Sequence, residues 1–237
     1  MIKNHFSYGI ACYSNNELLF VSKRVSWNFS QFAHGRYRPD SDKELNSLFS
    51  GMTKAEKMII MAGDFKMVQL YADLTLCKNE ISENKFKQLL SNKKRIRNLL
   101  EQSKCIYELE WMLPSGHKKN ITETDIDCAQ REFTEETEIP RTHYHLFPEY
   151  KKTVCRIFPD APGDRYYITY YLAIAYDRKL SLRMENYEQY VEIRNVKWMN
   201  LINLNGVQGL EIYRFFIKTG RRLNRYYYFR SAPILIH

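Results

Sequence analysis

Hydrophobic and polar positions change period several times along this chain of 237 residues. Over residues 6–21, the apolar runs YGIACY and ELLFV flank Ser14-Asn15-Asn16. Two short apolar runs split by an Asn pair predict two strands joined by a turn. From about 35 to 104 the spacing becomes helical. Leu45, Leu48, Phe49 and Met52 recur three and four residues apart, as do Phe86, Leu89 and Leu90, and then Ile96, Leu99 and Leu100. A strand pattern returns over 106–113, IYELEWML, and Pro114 closes it. Further strand-like runs lie at 166–176 and 191–198. A helix is predicted over 209–220, ending at Gly220 and the basic residues after it. The pattern is that of an α/β protein with an inserted set of helices. Residues 1–35 and 105–237 carry the strands, and 36–104 form the insertion.

Composition narrows the classes. Hydrophobic residues make up 44% of the chain, enough for a full core. No apolar run approaches the ~20 residues needed to span a membrane. The first residues, MIKNHFSYGIACYSNNELLF, lack the basic start and apolar stretch of a signal peptide. The five cysteines are scattered, odd in number and without a C-x-x-C pair. They predict free thiols in a reducing, cytoplasmic compartment and no structural zinc.

The net charge of +9 fits a polyanionic partner such as RNA, although solubility alone also accounts for it. Aromatic residues reach 14%, including 18 tyrosines, and interleave with Lys and Arg. A single-stranded nucleic acid groove uses that mixture, because bases stack and phosphates pair. The inserted helices hold 14 basic and 9 acidic residues, and so more than half of the excess charge. Their densest cluster is Lys93-Lys94-Arg95-Ile96-Arg97. A second basic run follows Gly220, with Arg221 and Arg222 at its head and no acid through Arg230. Each is either a phosphate-binding surface or a solvated helix face.

The strongest chemical signal is the stretch 116–139, GHKKNITETDIDCAQREFTEETEI. Glu132, Glu135 and Glu136 stand at i, i+3 and i+4, on one face of a helix. Three like charges on one face repel. A hard divalent cation such as Mg²⁺ or Mn²⁺ would turn that repulsion into a binding site. The stretch resembles the signature of the Nudix hydrolases, G-x5-E-x7-R-E-U-x-E-E-x-G-U with U aliphatic. Gly116, Glu123, Arg131, Glu132, Glu135, Glu136 and Ile139 match it. Three departures stand out. Six residues separate Gly116 from Glu123, Phe133 takes an aliphatic position, and Glu138 stands where the pattern has glycine. A side chain at that turn costs roughly 1 kcal/mol in the left-handed conformation.

Four ordered segments extend the resemblance. SKRVSWNFSQFAHGRY, LEWMLPSGHKK, CAQREFTEETEIP and VEIRNVKW are similar to the mRNA-decapping Nudix hydrolases of large DNA viruses. The asfarvirus type is the nearer and the poxvirus type the more distant. The resemblance implies an α/β/α sandwich with a helical insertion domain that binds RNA. It also implies a divalent cation and cleavage of the cap pyrophosphate to release 7-methyl-GDP. The asfarvirus-type enzyme also bears a diphosphoinositol-polyphosphate phosphohydrolase label, so diphosphoinositol polyphosphates or nucleoside diphosphate derivatives are alternative substrates. A non-catalytic RNA-binding module is a further alternative that the intact REFTEE argues against. A viral enzyme of this kind would act in the host cytoplasm.

Roles follow from the resemblance residue by residue. Glu132, Glu135 and Glu136 would hold the metal, with Glu192 and the Gly116 carbonyl completing its shell. Glu185 and Glu188 are alternatives to Glu192. Glu136 or Glu192 would take the proton from water. Arg131 would brace Glu123 and position the helix. Trp27, following Lys23-Arg24-Val25-Ser26, and Tyr167 would sandwich the cationic 7-methylguanine. His117, Lys118 and Lys119, with Lys23 and Arg24, would meet phosphates.

Overall fold

The computed structural model describes residues 3–72, 80–107, 109–156, 165–176, 178, 193–200 and 210–231, with the backbone alone at 156, 210 and 225–231. The chain divides into two compact units. One comprises Met1–Val21 and Trp111–His237, and the other Ser22–Glu110. The helical unit therefore begins before Trp27 and ends after Ile106.

The first unit is built on a mixed sheet. Strands β1 (Asn4–Ser14) and β2 (Glu17–Lys23) form an antiparallel hairpin. Asn15 and Asn16 both adopt positive φ, 48° and 68°, the combination that matches the twist of a tight hairpin. β1 is central. It runs parallel to β6 (Arg165–Ala175) from the pair Asn4–Arg165 to Tyr13–Ile174. β6 in turn pairs antiparallel with β5 (Tyr144–Arg156). The short β3 (Trp111–Met112) and β4 (Ser115–Gly116) join β2 and β1, and β7 (Ile193–Met199) also joins β2.

Strand alternation sends side chains to two cores. Ala11, Tyr13, Phe20, Tyr170 and Leu172 face helix α8 (Leu210–Ser231) through Ile212, Tyr213, Phe216 and Ile217. Ile10, Cys12, Leu19, Tyr171 and Ala173 pack on helix α7 (Asp125–Thr137) through Ala129 and Phe133. The unit is thus an α/β/α sandwich.

Three elements differ from the sequence pattern. The strand predicted over 106–113 is reduced to Trp111–Met112. Ile106 instead bridges Thr53, and its N–H bonds the Met52 carbonyl at 3.0 Å, so that part of the run serves the helical unit. The helix predicted to stop at Gly220 continues to Ser231. A Cβ at Gly220 would come within 2.5 Å of the Tyr13 ring, so this glycine permits close packing on β1 rather than ending the helix. The strand β5 has no counterpart in the sequence pattern. Its alternation is broken by a bulge between Phe147 and Lys151, around Pro148.

The second unit holds six helices among its described residues: α1 (Trp27–Ala33), α2 (Asp42–Ser50), α3 (Lys54–Ala62), α4 (Phe65–Tyr71), α5 (Glu80–Leu90) and α6 (Lys93–Gln102). Their apolar stripes meet in one core around Phe29, Phe32, Phe49, Phe65 and Phe86. Ser26, Ser41, Thr53, Asp64 and Asn92 each accept an N–H at a helix start, which fixes where α1, α2, α3, α4 and α6 begin. Two buried charges tie the helices together. Glu56 accepts from the Ser26 amide at 2.6 Å, the Ser26 hydroxyl at 2.9 Å and the Thr53 amide at 2.7 Å. Lys57 donates to the carbonyls of Leu100, Ser103 and Lys104 at the end of α6, where a cation complements the helix dipole. Among the described residues, no helix is long and apolar enough to cross a membrane.

Candidate active site

Helix α7 is set by its start, its buried face and its end. Thr124 caps it by accepting from the Asp127 amide, and Asp125 and Asp127 occupy the first turn, where negative charge suits the dipole. The preceding loop carries the extra residue and is closed by Asn120. Its Oδ1 accepts from the amides of Thr122 and Glu123 at 3.0 and 2.9 Å. Cys128, Ala129 and Phe133 are fully buried. Phe133 lies edge-on to Tyr144 at 5.1 Å, so the aromatic at an aliphatic position of the motif is a core residue. Glu138 ends the helix at φ 56°, with its N–H on the Thr134 carbonyl at 2.8 Å. A glutamate therefore occupies the left-handed turn expected there.

The opposite face of α7 gathers carboxylates around one guanidinium. Arg131 Nε and Nη2 reach the two oxygens of Glu123 at 2.7 and 3.1 Å. Nη1 reaches Glu132 and Glu135, each at 2.8 Å. Nη2 also donates to the His117 carbonyl at 2.8 Å. Arg131 and the Lys119 amide hold the Glu123 carboxyl down to about 2, well below its ordinary value. The same ion pairs, with Glu123 foremost, raise the Arg131 guanidinium. Lys119 Nζ adds a second cation, 2.7 Å from Glu135.

Glu136 is 1% exposed and accepts from the Ser115 amide at 3.0 Å. Gly116 makes room for its neighbour. A Cβ there would meet the Glu132 carboxylate at 2.2–2.4 Å, so only glycine lets that carboxylate lie against β4. Burial pushes the Cys128 thiol up to about 11, and the groups gathered on the opposite face of α7 are carboxylates. That donor set and the glycine cradle fit a hard divalent cation. Among the described residues no three Asp, Glu, His or Cys side chains converge on one point. Arg131 and Lys119 engage the cluster instead.

The Nudix domain family matches residues 89–214, more than half of the chain. The chain belongs to the Nudix hydrolase family. Hydrolases of this family depend on divalent metal and act on pyrophosphate bonds. The chain is 31% identical over 198 residues to the mRNA-decapping protein g5R of African swine fever virus, covering 78% of each. It is 27% identical over 217 residues to a putative mRNA-decapping protein of Acanthamoeba polyphaga mimivirus, covering 79% of this chain and 59% of that protein. A C. elegans Ap4A hydrolase in a binary complex aligns over 93% of this chain and 98% of its own, with a TM-score of 0.46 and 14% identity.

The remaining residues implicated in this Nudix hydrolase lie in several places. His117 is exposed after β4, with Nδ1 2.9 Å from the Phe6 carbonyl. Lys118 pairs with Asp125 at 2.6 Å and lies over the Tyr8 ring. Tyr167 stands on β6 and stacks on Phe6 at 5.5 Å. Arg221 bonds Asn16, and Arg222 lies over the Tyr150 ring. In the helical unit, Lys23 and Arg24 are half-buried before α1. Trp27 is the first residue of α1 and 44% exposed, so it is not a core aromatic. Lys93, Lys94 and Arg97 are exposed on α6. Arg95 is not equivalent to them, because it is bound to Asp42 and donates to the Pro39 carbonyl at 2.9 Å. Glu192, Glu185 and Glu188 lie outside the described residues.

Sequence reasoning passed over Glu56, whose capping-box spacing from Thr53 was readable. It also passed over Phe6, whose stacking partner emerges only from the parallel register of β1 and β6.

Proposed function

We propose that this Nudix hydrolase decaps mRNA, cleaving the cap pyrophosphate to release 7-methyl-GDP and RNA with a 5′-monophosphate. One observation carries the reading: the Arg131-braced carboxylates lie in a basic chain whose similarity to a decapping protein runs over 198 residues, too long for the strand-bearing unit alone. Mg²⁺ or Mn²⁺ held there supplies charge neutralisation for the pyrophosphate and a water of lowered pKa. Glu132, Glu135 and Glu136 would hold the ion, with the Gly116 carbonyl and Glu192, which lies outside the described residues, as the further ligands that the family resemblance implies. Glu136 or Glu192 accepts the proton of the attacking water. Arg131 positions Glu123, Glu132 and Glu135 rather than meeting substrate.

Exposed Lys93, Lys94 and Arg97, with Lys23, Arg24, Arg221 and Arg222, meet the RNA backbone. Trp27 offers an exposed ring to the cationic guanine. Tyr167, the other ring implicated in that sandwich, already has Phe6 against it. The enzyme acts on capped RNA in the cytoplasm of the host cell.

The test is cap-labelled RNA with Mg²⁺ or Mn²⁺, in parallel with diphosphoinositol pentakisphosphate. Release of labelled 7-methyl-GDP is the expected product. Turnover of the inositol substrate alone, or release of 7-methyl-GMP, overturns the reading.

A further inference from the structure

The parallel register of β1 and β6 sets two aromatic pairs side by side, His5 with Tyr166 and Phe6 with Tyr167. Both pairs stack, the first at 4.4 Å and 10°, the second at 5.5 Å and 17°. Because side chains alternate, the two pairs lie on opposite faces of the sheet. Phe6 and Tyr167 share the face of Ile10, Cys12 and Tyr171, which packs on α7. His5 and Tyr166 share the face that packs on α8.

Phe6 is 54% exposed and stands outside the buried cores. A single exposed Phe is ordinary. This one is held nearly parallel to a second ring, with Arg165 and the His117 imidazole beside the pair. Arg165 stands two residues before Tyr167 on the same strand face, and the neighbouring Tyr167 hydroxyl raises its guanidinium above the ordinary value. His117 links the pair to the acidic helix: its Nδ1 is 2.9 Å from the Phe6 carbonyl, and its own carbonyl accepts from Arg131 at 2.8 Å. An exposed ring beside fixed positive charge is the combination that binds a base together with its phosphate.

We propose that Phe6 and Tyr167 form a stacking platform for the first transcribed base of the RNA, with Arg165 and His117 meeting the adjoining phosphate. The identification as substrate RNA rests on the decapping reading. The positive charge of Arg165 disfavours the cationic 7-methylguanine on this platform and favours a neutral base.

The test measures affinity for a short RNA with a 5′-monophosphate, its first nucleotide either base-bearing or abasic. The unaltered protein should prefer the base-bearing RNA by on the order of 10-fold. Phe6→Ala should abolish the preference, and Phe6→Trp should preserve it. A thermal melt confirms that each variant is folded, and a ratio between two RNAs is insensitive to modest destabilisation. Equal affinities in the unaltered protein, or a preference that survives Phe6→Ala, overturn the platform. Cap cleavage by the same preparations separates the two claims. Cleavage without the preference retires the platform alone. The preference without cleavage retires decapping and retains a platform for RNA.

Discussion

Among the described residues, each unit buries one glutamate to the same degree. Glu56 in the helical unit and Glu136 in the strand-bearing unit are both 1% exposed. Their neighbours differ. Glu56 is surrounded by donors, the amides of Ser26 and Thr53 and the Ser26 hydroxyl, at the N-termini of α1 and α3. Its negative charge is answered within the fold. Glu136 takes the Ser115 amide, but its companions along α7 are Glu132 and Glu135, which share one arginine with Glu123. Burying a carboxylate is costly without compensation, and like charges on one helix face add to the cost. A carboxylate among donors builds structure, whereas Glu132 and Glu135, which share Arg131, are among those proposed above to hold a divalent cation.

The largest expected effect tests the crowded cluster. Glu135→Gln or Glu136→Gln should lower kcat on capped RNA by on the order of 1,000-fold, the several kcal/mol that a metal supplies to a phosphoryl reaction. Melting curves should show both variants folded. Near-normal turnover at saturating Mn²⁺ would make Glu136 a structural residue like Glu56.

The converse change is Glu56→Ala. It strands the Ser26 and Thr53 amides and should destabilise the helical unit by about 3 kcal/mol. Chemical denaturation measures that cost. Hydrolysis of a small pyrophosphate substrate should persist in the folded fraction. A neutral outcome in denaturation would mean that these caps are dispensable.

Trp27→Ala sharpens the contrast within the helical unit, between residues that hold it together and those it displays. Stacking is worth roughly 1–3 kcal/mol per base, so kcat/KM should fall on RNA with a 7-methylguanosine cap more than on RNA with an unmethylated cap. Equal losses on both, with a large fall in Tm, would return Trp27 to a packing role.

Smaller again is the effect of charge on α6. Neutralising Lys93, Lys94 and Arg97 together should flatten the log–log salt dependence of RNA binding by about 2, at roughly 0.7 for each phosphate contact on a single strand. Arg95→Ala should lower stability instead, because that side chain holds Asp42 and Pro39. An unchanged salt slope for the triple variant would leave α6 as a solvated face.

The smallest effect is on pH dependence. The folded pKa of Glu123, about 2, lies below its unfolded value. Its contribution to stability is therefore present above the ordinary carboxylate range and lost as the pH falls toward about 2. Glu123→Gln should flatten the acid limb of stability between about pH 4.5 and 2, measured by denaturation across that range. An unaltered limb would mean that Arg131 gains nothing from this partner.

Much of the cluster was legible in the sequence, because helical spacing places residues without reference to the rest of the chain. Glu132, Glu135 and Glu136 share a face by arithmetic alone, and the seven residues from Glu123 to Arg131 suit a loop and two helical turns. The turn at Asn15-Asn16 and the helical stripes of the insertion are local in the same way. Local patterning also told the α/β class and, with the motif, the family.

Tertiary structure decided whatever depends on pairing between distant segments. Ile106 reads as a strand residue, yet its amide answers Met52 in the helical unit. Gly220 reads as a helix stop, yet it clears the Tyr13 ring while α8 continues. Arg95 reads as one of four equivalent cations until Asp42, far away in sequence, claims it. Phe6 stacks on Tyr167 only because β6 lies parallel to β1 in one particular register. Helical periodicity is a property of neighbours within a few residues, so the sequence carries it alone. Register, close approach and ion pairing across many residues depend on the packed chain, and only the fold could supply them.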